Sequence, residues 1–143
     1  MKRSLLGTVL ALCTATLTTA SPAQDYPRGP IRIVVPFAPG GGTDVTARII
    51  GQRFMKAFNQ NVVVDNRPGA GGNIGLDALA KSKPDGATVG MGQVSNLAIN
   101  PALYAKMPFD PKKDVVPVAL VASQALVLVV RADSAWKTLA DLL

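Results

Sequence analysis

The chain has 143 residues, with 15 Lys and Arg against 9 acidic residues, no His and a single Cys. The only cysteine, Cys13, lies in an N-terminal segment that we expect to be removed. Without His and Cys, neither a Ser-His-Asp or Cys-His nucleophile nor a zinc site of the usual nitrogen and sulfur type can be assembled. The basic surplus is small and scattered, whereas nucleic-acid binding favours a clustered basic stripe with aromatic residues. We therefore expect no enzyme, no cofactor and no nucleic-acid partner.

The first 23 residues have the pattern of a secretory signal peptide. Lys2 and Arg3 precede an apolar run from Leu5 to Leu17, which is too short to anchor the chain in a bilayer. Small residues follow and offer cleavage sites. We expect residues 1–23 to be removed on export to the periplasm. A mature chain without cysteine must then be stabilised by packing and not by disulfides.

A strand, a glycine-rich loop and a helix are predicted next. The β-branched run 31–37 is bounded by Pro30 and by the turn 39–42, which is typical of a buried strand that ends in a loop of unusual backbone angles. Thr43 or Asp44 is expected to cap the following helix. In that helix, apolar residues recur at close to helical spacing as far as Phe58.

The same unit is predicted a second time. Residues 61–65 indicate a second strand, residues 66–73 a second glycine-rich turn, and residues 74–79 an amphipathic helix that the turn 84–86 ends. A third strand is expected around Thr88 to Met91. Alternation of strand and helix in this length predicts an α/β fold with a parallel sheet and right-handed crossovers.

The remainder of the chain has a less regular pattern. Four prolines fall between residues 100 and 117, and two apolar runs follow at 118–122 and 125–130. Ser134 is expected to cap a helix that includes Trp136 and has no stop signal.

These patterns divide the chain into three segments. After the signal peptide, we expect residues 24–133 to form a first α/β lobe that is incomplete. Residues 134–143 are expected to begin a second lobe, which is truncated.

Both glycine-rich loops are predicted at the carboxyl ends of strands and at the amino ends of the helices that follow. Ligands of open α/β sheets bind on that side. The first turn of a helix has unpaired N–H groups and a partial positive charge, and glycine lets several N–H groups face one ligand. Because glycine-rich turns are also ordinary architecture, the loops by themselves leave an anion site and plain architecture about equally favoured.

A dinucleotide-binding enzyme of the Rossmann type is the nearest alternative. The run from Gly69 to Gly75 approaches the G-x-G-x-x-G pattern, but its third glycine falls one residue late, with Ile74 in its place. An exported protein also meets little soluble dinucleotide. The residue types alone do not assign roles to the side chains. An aspartate in the first turn of a helix, such as Asp44, is commonly a favourable partner of the helix dipole.

Six motifs occur together in one order along the expected mature chain. In chain order they are Tyr26-Pro27, 31–44, 62–75, 84–86, 100–104 and 137–142. This set resembles the Bug (TctC-like) family, the extracytoplasmic receptors of tripartite tricarboxylate transporters. The resemblance covers essentially the whole expected mature chain.

The resemblance implies a periplasmic-binding-protein fold of type II, with two α/β lobes that close on a ligand. It implies that the first two loops hold one carboxylate of a small ligand through backbone N–H groups and ordered water, for transport or sensing. Membrane subunits of a tripartite transporter are implied partners, and a monomer is expected. The residues assigned to this site are Phe37, Gly41, Thr43 and Asp44 in the first loop, Ala70, Gly71, Gly72 and Asn73 in the second, and Ser95 and Asn96 in the third. Gln93 departs from the family's pattern, which has a smaller residue there.

Members of that family are much longer than this chain, so most of the second lobe is expected to be missing. The cleft would then have one wall. We expect the chain as given to bind a carboxylate weakly or not at all. A truncated remnant without function is the second alternative, and the sequence does not identify the carboxylate.

Overall fold

Three parallel strands form the sheet of this protein. The computed structural model describes residues 26–125 and 127–143. Its strands are β1 (Ile31–Val35), β2 (Val62–Asn66) and β3 (Thr88–Gly90), and their order in the sheet is β2-β1-β3. The predicted α/β fold with a parallel sheet is confirmed, with β1 two residues shorter than predicted, β2 shifted by one residue and β3 one residue shorter. The predicted signal peptide lies outside the described residues.

The described residues form two longer helices and several short helical segments. In chain order they are α1 (Gly42–Phe58), a 3-10 turn (Ala70–Gly72), α2 (Asn73–Ala80), a π-helical turn (Ser95–Ile99), α3 (Asn100–Leu103) and α4 (Leu139–Leu142). No helix within the part of the chain that the structure describes has both the length and the apolar character needed to cross a bilayer.

The core is centred on β1, the middle strand. Ile33, Val34 and Val35 are each at most 1% exposed, as is typical of a strand in a parallel sheet that is covered on both faces. On one face, Ile33 and Val35 cluster with Ala47 of α1. Side chains of this size stabilise the fold by about 1.5 to 3 kcal/mol each when fully buried. The central strand therefore fixes the positions of the loops at its end.

The fully buried positions of α1 are small, and among its large apolar residues Phe54 packs against the core. Ala47 and Gly51 are buried, whereas Val45 and Ile49 are 48% and 56% exposed. A Cβ on Gly51 would lie 3.2 Å from Cγ1 of Val62, so the helix approaches β2 closely. The predicted helical spacing was right, but the apolar residues on which it rested lie partly on the outer face.

The last part of the chain differs from the sequence prediction. Among residues 104–125 and 127–138 there is no helix or strand. The predicted cap at Ser134 is wrong, because α4 begins at Leu139 with Thr138 as its N-cap, where Thr138 and Asp141 form a reciprocal capping box. Ser134 instead accepts a hydrogen bond from the backbone N–H of Trp136 at 3.1 Å, within a local turn.

Close packing at Gly75 generates a stability prediction. A Cβ on Gly75 of α2 would lie 2.7 Å from Cα of Pro36 and 2.9 Å from the carbonyl oxygen of Arg67. Because both are backbone atoms that cannot rotate away, we expect Gly75→Ala to lower the free energy of unfolding by about 2 to 3 kcal/mol. Urea denaturation followed by circular dichroism measures it.

Gly29→Ala is the matched control for that substitution. A Cβ on Gly29 meets no atom of the described residues within 4 Å, so its effect on stability should stay within about 0.5 kcal/mol. Equal stability of the two variants would contradict the packing described for α2.

Candidate anion-binding site

The loops that follow the three strands meet at one edge of the sheet. We call residues 36–41 loop 1, residues 67–72 loop 2 and residues 91–94 loop 3. Val35 pairs with Asn66 at the ends of β1 and β2, and the N–H of Arg67 donates to the carbonyl of Val35 at 2.8 Å. The N–H of Met91 donates to the carbonyl of Val34 at 2.9 Å. The sequence placed loops 1 and 2 side by side at this edge, and the strand register confirms it.

The carboxylate of Asp44, in the first turn of α1, ties loops 1 and 2 together. Its Oδ2 accepts from the N–H of Gly40 at 2.9 Å and from Nε of Arg48 at 3.0 Å, and its Oδ1 accepts from Nδ2 of Asn66 at 3.0 Å. Asn66 also donates to the carbonyl of Phe37 at 3.1 Å. Because Asn66 ends β2, these bonds fix loop 1 against the neighbouring strand.

The environment of Asp44 favours its ionised form. The residue is only 3% exposed. The hydrogen bond from Arg48, followed by those from Gly40 and Asn66, holds the pKa of the Asp44 carboxyl well below its ordinary value, and it outweighs the opposing effect of desolvation. Both carboxylate oxygens are engaged inside the protein, so in this structure Asp44 holds loop 1 in place.

The N-cap of α1 corrects the sequence prediction. Neither Thr43 nor Asp44 is the cap; it is Gly41, in an extended conformation and without a side-chain cap hydrogen bond. The reason is that Asp44, at the third helical position, reaches back to the N–H of Gly40. In an ordinary capping box, the side chain of the third helical residue accepts from the N–H of the cap residue itself. Here the side chain of Asp44 reaches one residue further, to the N–H of Gly40.

Main-chain N–H groups at the start of α1 are left without internal partners. The first intrahelical bond of α1 runs from the N–H of Val45 to the carbonyl of Gly41 at 3.0 Å. Within residues 26–125 and 127–143, no acceptor is within hydrogen-bond distance of the N–H groups of Gly41, Gly42 and Thr43. Such groups at a helix start carry partial positive charge and bind anions.

Loop 2 uses some of its N–H groups internally. The N–H of Gly72 donates to the carbonyl of Gly69 at 2.9 Å, and that of Asn73 donates to the carbonyl of Ala70. The N–H groups of Ala70 and Gly71 have no acceptor among the described residues. Of the four residues predicted for the site between Ala70 and Asn73, only Ala70 and Gly71 have free main-chain donors.

The side chain of Asn100 holds loop 2 in place through two hydrogen bonds. Its Nδ2 donates to the carbonyl of Gly71 at 3.0 Å and to Oδ1 of Asn73 at 2.8 Å. Asn73 and Asn100 are 2% and 5% exposed. The side chain of Asn73 is therefore buried in the support of the loop.

Residues just after loop 3 bring buried polar atoms to the same place. Asn96 is completely buried, and its Oδ1 accepts from the N–H of Gln93 at 2.9 Å. Nδ2 of Asn96 and Oγ of Ser95 are buried without a hydrogen-bond partner among the described residues. Nδ2 lies only 2.5 Å from where a Cβ of Gly72 would stand, and Gly72 has a φ of +93° that favours glycine. Unpaired buried polar atoms are uncommon and call for an explanation.

The structure brings all ten predicted site residues to this edge of the sheet, but not in equal roles. Gly41 and Thr43 offer main-chain donors at loop 1, and Ala70 and Gly71 do so at loop 2. Phe37 lends its carbonyl to Asn66 and packs its side chain on the core. The other five, Asp44, Gly72, Asn73, Ser95 and Asn96, are engaged in or buried against the supports of the loops.

Sequence reasoning missed the residues that join the loops. Asn66 was counted only as part of a turn, and Arg48 was assigned no role. The available signal was an asparagine at the end of a β-branched strand, since a buried amide there can bond the backbone of the next loop. No group of three or more His, Cys, Asp or Glu side chains that could hold a metal occurs in the described part of the chain.

Comparisons with known proteins point to one family. The family described as "Tripartite tricarboxylate transporter family receptor" matches residues 46–143. Protein BugT of Bordetella pertussis is 43% identical over 132 residues, which are 90% of this chain and 40% of BugT. The chain therefore spans about two fifths of the length of this relative.

Solved structures show the same fold. MatC from Rhodopseudomonas palustris, with bound malate, is 38% identical with a TM-score of 0.64, over 67% of this chain and 33% of MatC. The periplasmic binding protein BugD is 36% identical with a TM-score of 0.59, over 62% of this chain and 29% of BugD. The described fold is thus that of part of a periplasmic binding protein.

The Asp44 contacts predict a specific response to acid. Since the pKa of Asp44 is lowered by folding, the stability it contributes is present above the ordinary carboxyl pKa of about 4. That stability is lost as the pH falls from about 4 towards the lower folded pKa. We expect Asp44→Asn to be less stable at pH 7 and to lose less stability between pH 5 and pH 3. Urea denaturation at a series of pH values measures both effects.

Asp133→Asn controls for the loss of a carboxyl as such. The Asp133 side chain is 68% exposed and pairs only with Arg131, so its removal should leave stability at pH 7 nearly unchanged. If Asp44→Asn followed the acid curve of the unmodified chain, Asp44 would not be the central contact of the loops.

Proposed function

Because the chain belongs to the family of tripartite tricarboxylate transporter receptors, we propose that it binds a small carboxylate as part of an extracytoplasmic receptor. The family consists of receptors, and the chain's role is accordingly binding without chemical conversion. One observation carries the proposal. Two neighbouring loops present main-chain N–H groups that have no acceptor among the described residues, at the edge where open α/β sheets bind ligands.

The proposed anion site consists of the N–H groups of Gly41, Gly42, Thr43, Ala70 and Gly71. A carboxylate has two oxygens and about four lone-pair positions, so it can accept from several of these donors at once. Charge-assisted hydrogen bonds of this kind are shorter and roughly twice as strong as neutral ones. The dipole of α1, a helix of 17 residues, adds to the attraction at the loop 1 end.

The other predicted residues are proposed to shape this site. Asp44 fixes loop 1, and Asn73 fixes loop 2 through Asn100. Asn96 fixes loop 3 by accepting from the N–H of Gln93. Polar atoms of Ser95 and Asn96 are buried without partners among the described residues.

The ligand class follows from the site and from a relative. The solved structure of MatC contains bound malate, a small acid with two carboxylates. We propose that this chain binds an acid of that class. One carboxylate would occupy the anion site. Delivery of the acid to membrane subunits of a tripartite transporter, or to a sensor, completes the proposed role, in the periplasm and as a monomer.

Binding by this chain is expected to be weak. The described loops supply donors on one side of a ligand. A few charge-assisted hydrogen bonds must offset the loss of translational freedom on binding. We expect a dissociation constant for malate on the order of 1 mM.

Gly41→Ala tests the location of the site. Gly41 has a φ of −77°, which alanine adopts readily, and the nearest atom to a new Cβ is the carbonyl oxygen of Ala38 at 3.8 Å. Stability should therefore change by less than about 0.5 kcal/mol. The methyl group would stand beside the proposed donors, and we expect malate to bind at least fivefold more weakly, a loss of about 1 kcal/mol. An NMR titration at constant ionic strength measures the affinity.

Two further titrations complete this experiment. Gly29→Ala, with its open surroundings, should bind malate like the unmodified chain. NADH should show no saturable binding, whereas saturation by NADH but not by malate would favour the dinucleotide-binding alternative. Absence of binding to malate and to a panel of related acids would refute the proposed function.

A further inference from the structure

The side chain of Gln93 joins loop 3 to the first turn of α1. Its Nε2 donates a hydrogen bond to Oγ1 of Thr43, a residue 50 positions away in the sequence. Gln93 is exposed, and so its amide could equally have been solvated by water. The contact joins the strand-end loops on the side opposite to Asn66, since β3 and β2 flank β1 on its two edges.

This bond determines what the Thr43 hydroxyl can still do. A hydroxyl has one hydrogen to donate and two lone pairs that accept. Accepting from Gln93 occupies a lone pair and leaves the hydrogen available. No acceptor for that hydrogen lies within bonding distance among residues 26–125 and 127–143.

Another threonine of the same helix shows the usual alternative. The hydroxyl of Thr46 donates to the carbonyl of Gly42, four residues earlier, at 2.7 Å, as threonine commonly does within helices. In Thr46 the hydrogen is consumed by the helix. Among the described residues Thr43 makes no such bond, and the N–H of Thr43 itself is one of the free N–H groups of the first turn.

We propose that Gln93 is a positioning residue that makes the Thr43 hydroxyl a hydrogen-bond donor to the bound carboxylate. The inference rests on the proposed function and adds a selectivity to it. With one of its two lone pairs occupied by Gln93, the Thr43 hydroxyl offers its hydrogen to an acceptor. An ionised carboxylate only accepts and can take this hydrogen, whereas an ammonium group only donates, would leave the hydrogen unpaired and could use only the one remaining lone pair.

Substitutions at Gln93 distinguish this role from a merely structural link. Gln93→Ala removes the bond and lets the hydroxyl rotate, so we expect malate to bind about fivefold more weakly. Gln93→Glu keeps the shape and the contact but reverses its polarity, because the carboxylate must accept the Thr43 hydrogen. We expect Gln93→Glu to weaken binding at least tenfold, more than Gln93→Ala does.

A double-mutant cycle separates the effect on Thr43 from the added negative charge. Direct repulsion between the ligand and the carboxylate that Gln93→Glu introduces would weaken binding equally with or without the Thr43 hydroxyl. In a Thr43→Val background we expect the substitution Gln93→Glu to cost at least threefold less in affinity than in the unmodified chain. Thr43→Ser keeps a hydroxyl and should retain binding within about twofold.

The outcomes separate the two proposals. If the unmodified chain binds malate but Gln93→Glu binds as well as or better than Gln93→Ala, Gln93 is a structural link or an acceptor, and this inference is wrong while the proposed function stands. A cycle without coupling also overturns the inference alone. If the unmodified chain binds no acid, the proposed function fails and the inference fails with it. Thermal unfolding of each variant, expected near that of the unmodified chain, excludes loss of the fold as the cause.

Discussion

The contacts of one buried carboxylate hold the candidate site together. Asp44 is ionised, almost wholly enclosed, and bonded to the backbone of Gly40, to Arg48 and to Asn66. A buried carboxylate is stable only when both of its oxygens accept hydrogen bonds or are paired with a positive charge. Because Asn66 ends a different strand from the one that leads into loop 1, satisfying this charge requires loops 1 and 2 to lie together.

The contacts of Asp44 also limit the effect of its negative charge on an anionic ligand at the start of α1. A carboxylate at the start of a helix would by itself repel an anionic ligand from that helix. Arg48 offsets the charge from one helical turn further along, so that the partial positive charge of the helix start is not cancelled. Asp44 also takes the N–H of Gly40 and none of those that follow. The Asp44 carboxylate and the proposed ligand carboxylate would therefore use different donors.

The sequence predicted the strands and the two glycine loops because their signals are local: β-branched runs, turn residues and periodic apolar positions. The long-range hydrogen bonds of Asn66, Asn100 and Gln93 could not be predicted, since each partner lies 22 to 50 residues away in the sequence. The cap of α1 was misplaced for a related reason. Asp44 has the residue type of a cap, but its reach back to Gly40 depends on where Asn66 and Arg48 stand.

The site also separates two kinds of recognition. Main-chain N–H groups are identical in every residue, so they detect negative charge and hydrogen-bond geometry but cannot distinguish one small carboxylic acid from another. Discrimination requires side chains whose polarity is fixed. At the described edge of the sheet, we propose that the hydroxyl of Thr43 with its Gln93 partner is such a group, and that it favours an acceptor over a donor. The part of the acid beyond its bound carboxylate must then be recognised by groups outside these three loops.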